Sequence, residues 1–489
     1  MRHVLSKSTF LYGCQCPKRL YFYKFRKDLI GEISVAQQAV FDRGTSVGQL
    51  ARDLFPGGVD ASPSSPFLYA KSVAYTKQLI DQGQKIIYEA AFQFEGVLAA
   101  VDILVKRNGK WKAYEVKSST SVKEINLLDA ALQYHVISKS GINLADIFLI
   151  HLNNEYIREE SLVLEELFFI QTVKEDVLEL QDFVGEKIVE LKNLISSKKE
   201  PEQNIGTHCT DPYPCDFASH CWQHIPEPSV FSISRLRSEK KFELYNAGII
   251  HFKDLPEDFS LNAYQAMQVR NHLDKKTSID KPALKEYLKD ITYPLYFMDF
   301  ETFQPAVPLY PNSRPYQQIP FQYSLHFKKN KKSVPEHHAF LASPNSDPRP
   351  HFIEDLLKKT SSPGSILTYN MSFEKSILNA LARDFPQYAN DIEDRIERLL
   401  DLMPPFMKGM YYSHEMNGSY SIKAVLPALV PELSYEDLEI GDGGTASHAF
   451  EQMIFDPQAE VNLIRENLLE YCKMDTLAMV RLLEVLEKV

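Results

Sequence analysis

Between residues 85 and 120 the chain changes rhythm. IIYEAAFQF, LAAVDILVK and WKAYEVKSS have the short apolar–polar period of strands, and they break at Glu95-Gly96 and Asn108-Gly109. Asn-Gly is a strong hairpin signal, so the last two segments read as a paired hairpin. On either side the period lengthens. Residues 1–60 read as helical, and apolar spacing predicts helices over 123–138 and 165–199. KEPEQNIG then breaks the pattern and a cysteine-rich stretch follows. Residues 228–290 read as a linker with a small helical segment, in which SRLRSEKKFELYNAGIIHFKDLPED has the shape of two helices joined by a turn. After Pro294 the pattern restarts. LYFMDFETF reads as a buried strand, FQYSLHF follows a Pro-rich loop over 304–315, GSILTYN precedes a helix from Ser372, and an amphipathic helix covers 459–488. Strands and helices intermixed in both halves predict an α/β protein, and 489 residues exceed one ordinary core.

Composition narrows the class. A hydrophobic fraction of 44% and a charged fraction of 24% fit a globular chain, and the absence of an 18-residue apolar run predicts no membrane span. The opening MRHVLSKSTFLYGCQC lacks an apolar signal core, so a cytoplasmic location is expected. The net charge of −11 argues against a passive nucleic-acid coat, but acidic clusters that hold divalent metals are compatible with local contact to nucleic acid.

The hairpin carries the first candidate chemistry. Asp102 lies on one strand; Glu115 and Lys117 lie two apart on the next and share a face. A turn at Asn108-Gly109 brings Asp102 beside Glu115. Two carboxylates can hold Mg²⁺ or Mn²⁺, which polarises a phosphate and activates water, while Lys117 orients that water or stabilises developing charge. The bland alternative is a polar surface hairpin. The D…ExK order resembles the PD-(D/E)xK nuclease core. Under that resemblance Glu89 takes the place of an upstream acidic residue, and Gln133, in DAALQYHVI, that of the RecB-like glutamine.

Six cysteines are present, three of them as C-x5-C-x5-C at Cys209, Cys215 and Cys221. In a protein expected to be cytoplasmic such spacing suggests metal more than disulfides. Three clustered thiolates and one remote thiolate can ligate a 4Fe–4S cluster; zinc competes, helped by His208, His220 and His224. Residues 14–222 resemble the iron–sulfur RecB-like exonucleases of the AddB and CRISPR-associated types, in which one cysteine precedes the nuclease core and three follow it. The upstream cysteine of those families stands before Pro and a basic residue, as Cys16-Pro17-Lys18 does, so the resemblance favours Cys16 over Cys14. One departure is Gly48, which stands where many RecB-like nucleases carry a metal-binding His. KRLYFYKFRK interleaves basic and aromatic residues and can meet a single strand by charge and stacking, or pack as an amphipathic helix.

The restarted pattern carries the second candidate chemistry. Asp299 and Glu301 share a strand face; Tyr471 and Asp475 are one helical turn apart. With Glu374 they form a carboxylate set suited to two metal ions about 4 Å apart, with the Tyr471 hydroxyl placing the attacking water. DxE, then NxxF-acid, then YxxxD resembles the tyrosine subtype of DnaQ-like (DEDD) exonucleases on an RNase H-like fold, although Glu374 replaces the usual Asp. Asp401 is a possible assistant, Ser419, Ser421 and Lys423 fit phosphate contacts, and Gln317 and Gln318 are weaker candidates.

The arrangement as a whole is similar to bacterial fusions of a RecB-like iron–sulfur nuclease with a C-terminal RNase H-like exonuclease. The implied domains are 1–227, a helix–hairpin–helix-like linker over 228–290, and 291–489. The implied activity is a metal-dependent exonuclease on single-stranded DNA or DNA ends, in repair, recombination or defence. The alternatives are that only the C-terminal module cuts, with RNA as a further possible substrate and the first module as a clamp, or that both sites have decayed into a nucleic-acid-binding protein.

Overall fold

The computed structural model describes residues 4–489. The chain forms two compact units, Met1–His224 with Pro305–Gln317, and Ile225–Gln304 with Gln318–Val489. Both mix helices with sheets, so the protein is α/β and multi-domain.

The first unit is built on a seven-stranded sheet. Its path is β2 (Val59–Asp60), β3 (Ile86–Phe94), β4 (Val97–Arg107), β5 (Lys110–Lys117), β6 (Leu144–Leu152) and β7 (Phe168–Thr172), with β1 (Leu5–Ser6) pairing beside β4. β3, β4 and β5 form an antiparallel meander. Its turns place Glu95, Gly96, Asn108 and Gly109 in the left-handed region that tight hairpins demand. β5 and β6 run parallel, and the helix Glu124–Lys139 makes the crossover between them. One face buries Leu104, Trp111, Ala113 and Leu149 beside Phe10 and Leu191 of the helices Lys7–Gln15 and Gln181–Ser197. The other buries Ile103, Val105, Tyr114 and Val116 beside Val47 and Ala51 of the helix Val35–Ala51, with Ala306 from the Pro305–Gln317 stretch.

The expected helix over 165–199 is broken. Leu164–Leu167, Lys174–Glu179 and Gln181–Ser197 are helical, but Phe168–Thr172 is β7, antiparallel to β6. Without β7 one edge of β6 would leave its backbone groups unpaired, and that tertiary demand overrides the local apolar spacing. The expected helical region 1–60 likewise begins with β1 and ends with β2, around the helices Lys7–Gln15, Pro17–Phe25 and Val35–Ala51.

The second unit carries a five-stranded sheet in the order β11–β10–β9–β12–β13 and a two-stranded pair of β14 with β8. The strands are β8 (Thr277–Ile279), β9 (Leu295–Phe303), β10 (Ile319–Lys328), β11 (Glu336–Leu341), β12 (Ile366–Thr368), β13 (Leu399–Asp401) and β14 (Tyr411–Ser413). β9 is central, antiparallel to β10 and parallel to β12. Tyr296, Met298 and Phe300 face a core with Phe352 and Leu378. Leu295 and Phe297 face Met479, Val480 and Leu483 of the C-terminal helix Val461–Leu486. Alternation then aims Asp299 and Glu301 at the side that helix covers. The helices Ser238–Asn246 and Ala263–Asp274 lie in this unit, where Val230, Ile233, Leu244 and Phe252 make a small core of their own. No helix among the described residues is long and apolar enough to cross a membrane.

β12 is fastened to the start of β9 at one tight point. Gly364 has φ of +134°, and a Cβ there would stand 2.0 Å from the Pro294 carbonyl oxygen. Gly364→Ala is therefore expected to destabilise the protein by about 2–4 kcal/mol, read as a lower denaturant midpoint. An unchanged midpoint would show that the β9–β12 junction tolerates the shift.

Candidate functional site

In the first unit the alternation of two strands slips at one place. Ile87 and then Ala90 and Phe92 of β3 face the same core, as do Val97, Ala99, Val101 and then Leu104 of β4. The β3–β4 ladder skips the position where Glu89 meets Asp102, and Glu89 has φ of 51°. Such irregularities re-aim side chains, here two carboxylates at once. The β4–β5 ladder ends at Ile103 opposite Tyr114, which leaves Asp102 and Glu115 just beyond its last pair, and Asp102 Oδ2 accepts the Val116 N–H at 2.6 Å. Glu115 Oε1 accepts from Lys117 Nζ at 2.8 Å and from Lys7 Nζ at 2.6 Å. Lys117 also pairs with Asp129, whose other oxygen accepts from Gln133 Nε2 at 3.1 Å. Arg52 meets Glu89 at 3.1 Å and Asp60 at 2.8 Å. Glu89, Asp102, Glu115, Lys117 and Gln133 thus belong to one constellation, Gln133 through Asp129.

Burial and the Glu115 charge push Asp102 up to about 8 and raise Glu89 as well. Burial opposes ionisation of Glu115 too, but Lys117 and Lys7 outweigh it and hold that carboxyl well below its ordinary range. Glu115 Oε2 is buried without a hydrogen-bond partner. Lys7, Glu89 and Asp102 open onto a cleft of about 1120 Å³ that Lys24, Lys27 and Phe67 also line. Phe67 is 87% exposed there. Gly48 has nothing within 4 Å of where a Cβ would be; the helix Val35–Ala51 reaches the carboxylates through its cap residue, Arg52.

Cys16, Cys209, Cys215 and Cys221 line one small cavity together with Phe22 and Phe217. Cys14 packs against the main core of the unit instead. None of the six cysteines is in a disulfide. Cys16 stands at the N-cap position of the helix Pro17–Phe25, with extended backbone. The Gly206 N–H reaches Cys209 Sγ at 3.5 Å. Burial raises the Cys16 and Cys221 thiols and pushes Cys215 up to about 11.

In the second unit Asp299, Glu301 and Asp475 offer oxygens that all lie within 4.8 Å of one another. Tyr435 donates to Asp475 Oδ1 at 2.7 Å, and Lys423 Nζ stands 3.4 Å from the Tyr471 hydroxyl. Glu374, in the first turn of the helix Ser372–Asp384, is buried and its Oε2 has no partner. Asp401 accepts the N–H groups of Asn370, Met371 and Met403 and so braces the turn before that helix. Burial first, then the mutual repulsion of the carboxylates, raises Asp299, Glu301 and Glu374 well above their ordinary range. Burial pushes Asp475 up to about 6 against the pull of Tyr435 and Lys423. Ser421 caps the helix Ile422–Leu429 that carries Lys423, and Gln317 belongs to the first unit.

The two centres differ in charge balance. In the first, Glu89, Asp102, Glu115 and Asp129 face Lys7, Lys117 and Arg52. In the second, Lys423 is the cation acting on Asp299, Glu301 and Asp475 together. Closely spaced buried carboxylates and an orphaned oxygen fit a hard divalent cation there. Sequence reasoning missed Lys7, Arg52, Asp129 and Tyr435. Asp129 carried a signal, since it lies one helical turn before Gln133. The others reach their partners across long sequence separations and leave no local pattern.

The raised pKa of Asp475 sets a stability test. A folded-state value of about 6, above the ordinary 3.8, means the folded chain holds an extra proton between the two. This carboxylate therefore costs stability as pH rises through that window, and the cost is complete above the folded value. Asp475→Asn should stabilise the protein in chelator at pH 8 by roughly 1–3 kcal/mol, with the gain gone by about pH 4. A denaturant midpoint at pH 8 that is unchanged or lower contradicts this.

Residues 296–421 match a family described as a domain of unknown function, DUF2779. The matched stretch includes Asp299, Glu301 and Glu374 and ends before Tyr471 and Asp475. No curated protein matches the chain.

Proposed function

We propose that the protein is a metal-dependent nuclease with a carboxylate centre in each unit, acting as an exonuclease on single-stranded DNA or DNA ends. The observation that carries this reading is the convergence of Asp299, Glu301 and Asp475 within 4.8 Å, beside buried Tyr471 and the unpartnered Glu374 oxygen. Asp299, Glu301, Glu374 and Asp475 would hold Mg²⁺ or Mn²⁺. Such an ion, when bound, polarises the scissile phosphate and activates water. The Tyr471 hydroxyl keeps its proton, because burial and the Asp475 charge push its pKa far up, and it can orient the attacking water. Lys423 holds that hydroxyl and supplies positive charge beside it. Tyr435 fixes Asp475 through its hydrogen bond. In the first unit Asp102 and Glu115 would hold the ion, with Lys117 against Glu115.

The four converging cysteines suit a 4Fe–4S cluster that ties residue 16 to residues 209–221. Zinc is the competing occupant, since His208 lines the same cavity.

One observation favours a narrower second reading. The first centre already has Lys7, Lys117 and Arg52 on its carboxylates, and Gly48 offers no ligand. The C-terminal centre would then be the cutting one, with RNA a possible substrate, and the first unit a clamp.

Degradation of end-labelled single-stranded DNA and RNA with Mn²⁺ separates these. Asp475→Ala should lower cleavage by about two orders of magnitude or more. If Asp102→Ala removes a distinct part of the activity, both units cut; if it removes none, the second reading holds. A wild type that cuts nothing defeats the proposal. Anaerobically purified protein should be brown and contain iron, and Cys16→Ser should lower both iron and thermal stability; zinc in its place would overturn the cluster.

A further inference from the structure

We propose that Lys7 is an exchangeable cation of the first centre: its ammonium neutralises Glu115 and Asp129 beside the place a divalent ion would take on Asp102 and Glu115, and it moves into the adjoining cleft when that ion binds. The inference rests on reading this centre as a metal site.

Lys7 Nζ lies 2.6 Å from Glu115 and 3.7 Å from Asp129, and its charge is felt by Asp102. It is redundant on two of these partners, because Lys117 already pairs with both Glu115 and Asp129. A divalent ion on Asp102 and the unpartnered Glu115 Oε2 would bring two further positive charges against two ammoniums that share the same carboxylates. In a site this buried, that repulsion favours the departure of one ammonium.

Lys7 is the one able to go. Lys117 lies on a strand inside the sheet and hydrogen-bonds both Glu115 and Asp129, whereas Lys7 reaches Asp129 only at 3.7 Å. Lys7 is the first residue of the helix Lys7–Gln15, where the helix dipole disfavours a cation, so its own element does not retain it. Its side chain is 28% exposed and lines the cleft. Displaced there, the ammonium would stand on the wall that Lys24 and Lys27 also line. The first unit would then have little affinity for metal at rest and gain it when an anionic strand draws Lys7 away.

The test uses the full chain carrying Asp299→Ala and Asp475→Ala, so that Mn²⁺ bound at the second centre does not contribute. Free Mn²⁺ is followed by electron paramagnetic resonance during titration of this parent, its Lys7→Met and Lys7→Gln forms, and an Asp102→Ala control, with circular dichroism to report folding. The expected result is Mn²⁺ binding about ten- to a hundredfold tighter in both Lys7 variants, and lost in the control. Equal or weaker binding in the folded variants overturns the exchange while leaving the metal reading standing. Binding insensitive to Asp102→Ala in every form overturns that reading itself. Failure of both Lys7 variants to fold makes Lys7 a fixed structural counter-ion and also overturns the exchange.

Discussion

Carboxylates brought together out of water need positive charge, and the way each unit supplies it organises the molecule. Isolated, such groups either take up protons or destabilise the fold. The first unit answers from within, with two lysines and an arginine on four acids. The second provides Lys423 and leaves its acids raised in pKa, with a buried Glu374 oxygen unpartnered. A centre of this second kind stores a demand for a cation that the chain does not itself satisfy.

The sheets exist to hold these groups still. β9 is central, so Asp299 and Glu301 are fixed by pairing with Ser324 and Gln322 of β10, just beyond the stretch that β12 pairs, and are covered by the C-terminal helix that brings Asp475. In the first unit the same rigidity comes from the β3–β4–β5 meander, and the acids are aimed by one shared irregularity at Glu89 and Asp102. The converging cysteines bring residue 16 against residues 209–221, the two ends of the main stretch of that unit.

Much of this was legible in the sequence. Asn108-Gly109 announced its hairpin because only a few residues tolerate two left-handed positions in succession. The Asp299/Glu301 and Tyr471/Asp475 pairs were legible because strand and helix periods place them on shared faces. What was hidden depends on partners far away in the chain. FFIQT reads as part of a helix until β6 requires a neighbour. The face switch at Glu89 and Asp102 breaks the alternation that sequence reading relies on. Lys7 meets Glu115 across 108 positions, and no local pattern marks such an ion pair.

The central claim is that closely packed acids in this chain are built to hold divalent metal. Anomalous diffraction from crystals soaked in Mn²⁺ tests it directly. The account predicts a manganese peak about 2.0–2.4 Å from oxygens of Asp299, Glu301 and Asp475. Density showing those three carboxylates ordered and free of metal at millimolar Mn²⁺ would contradict it.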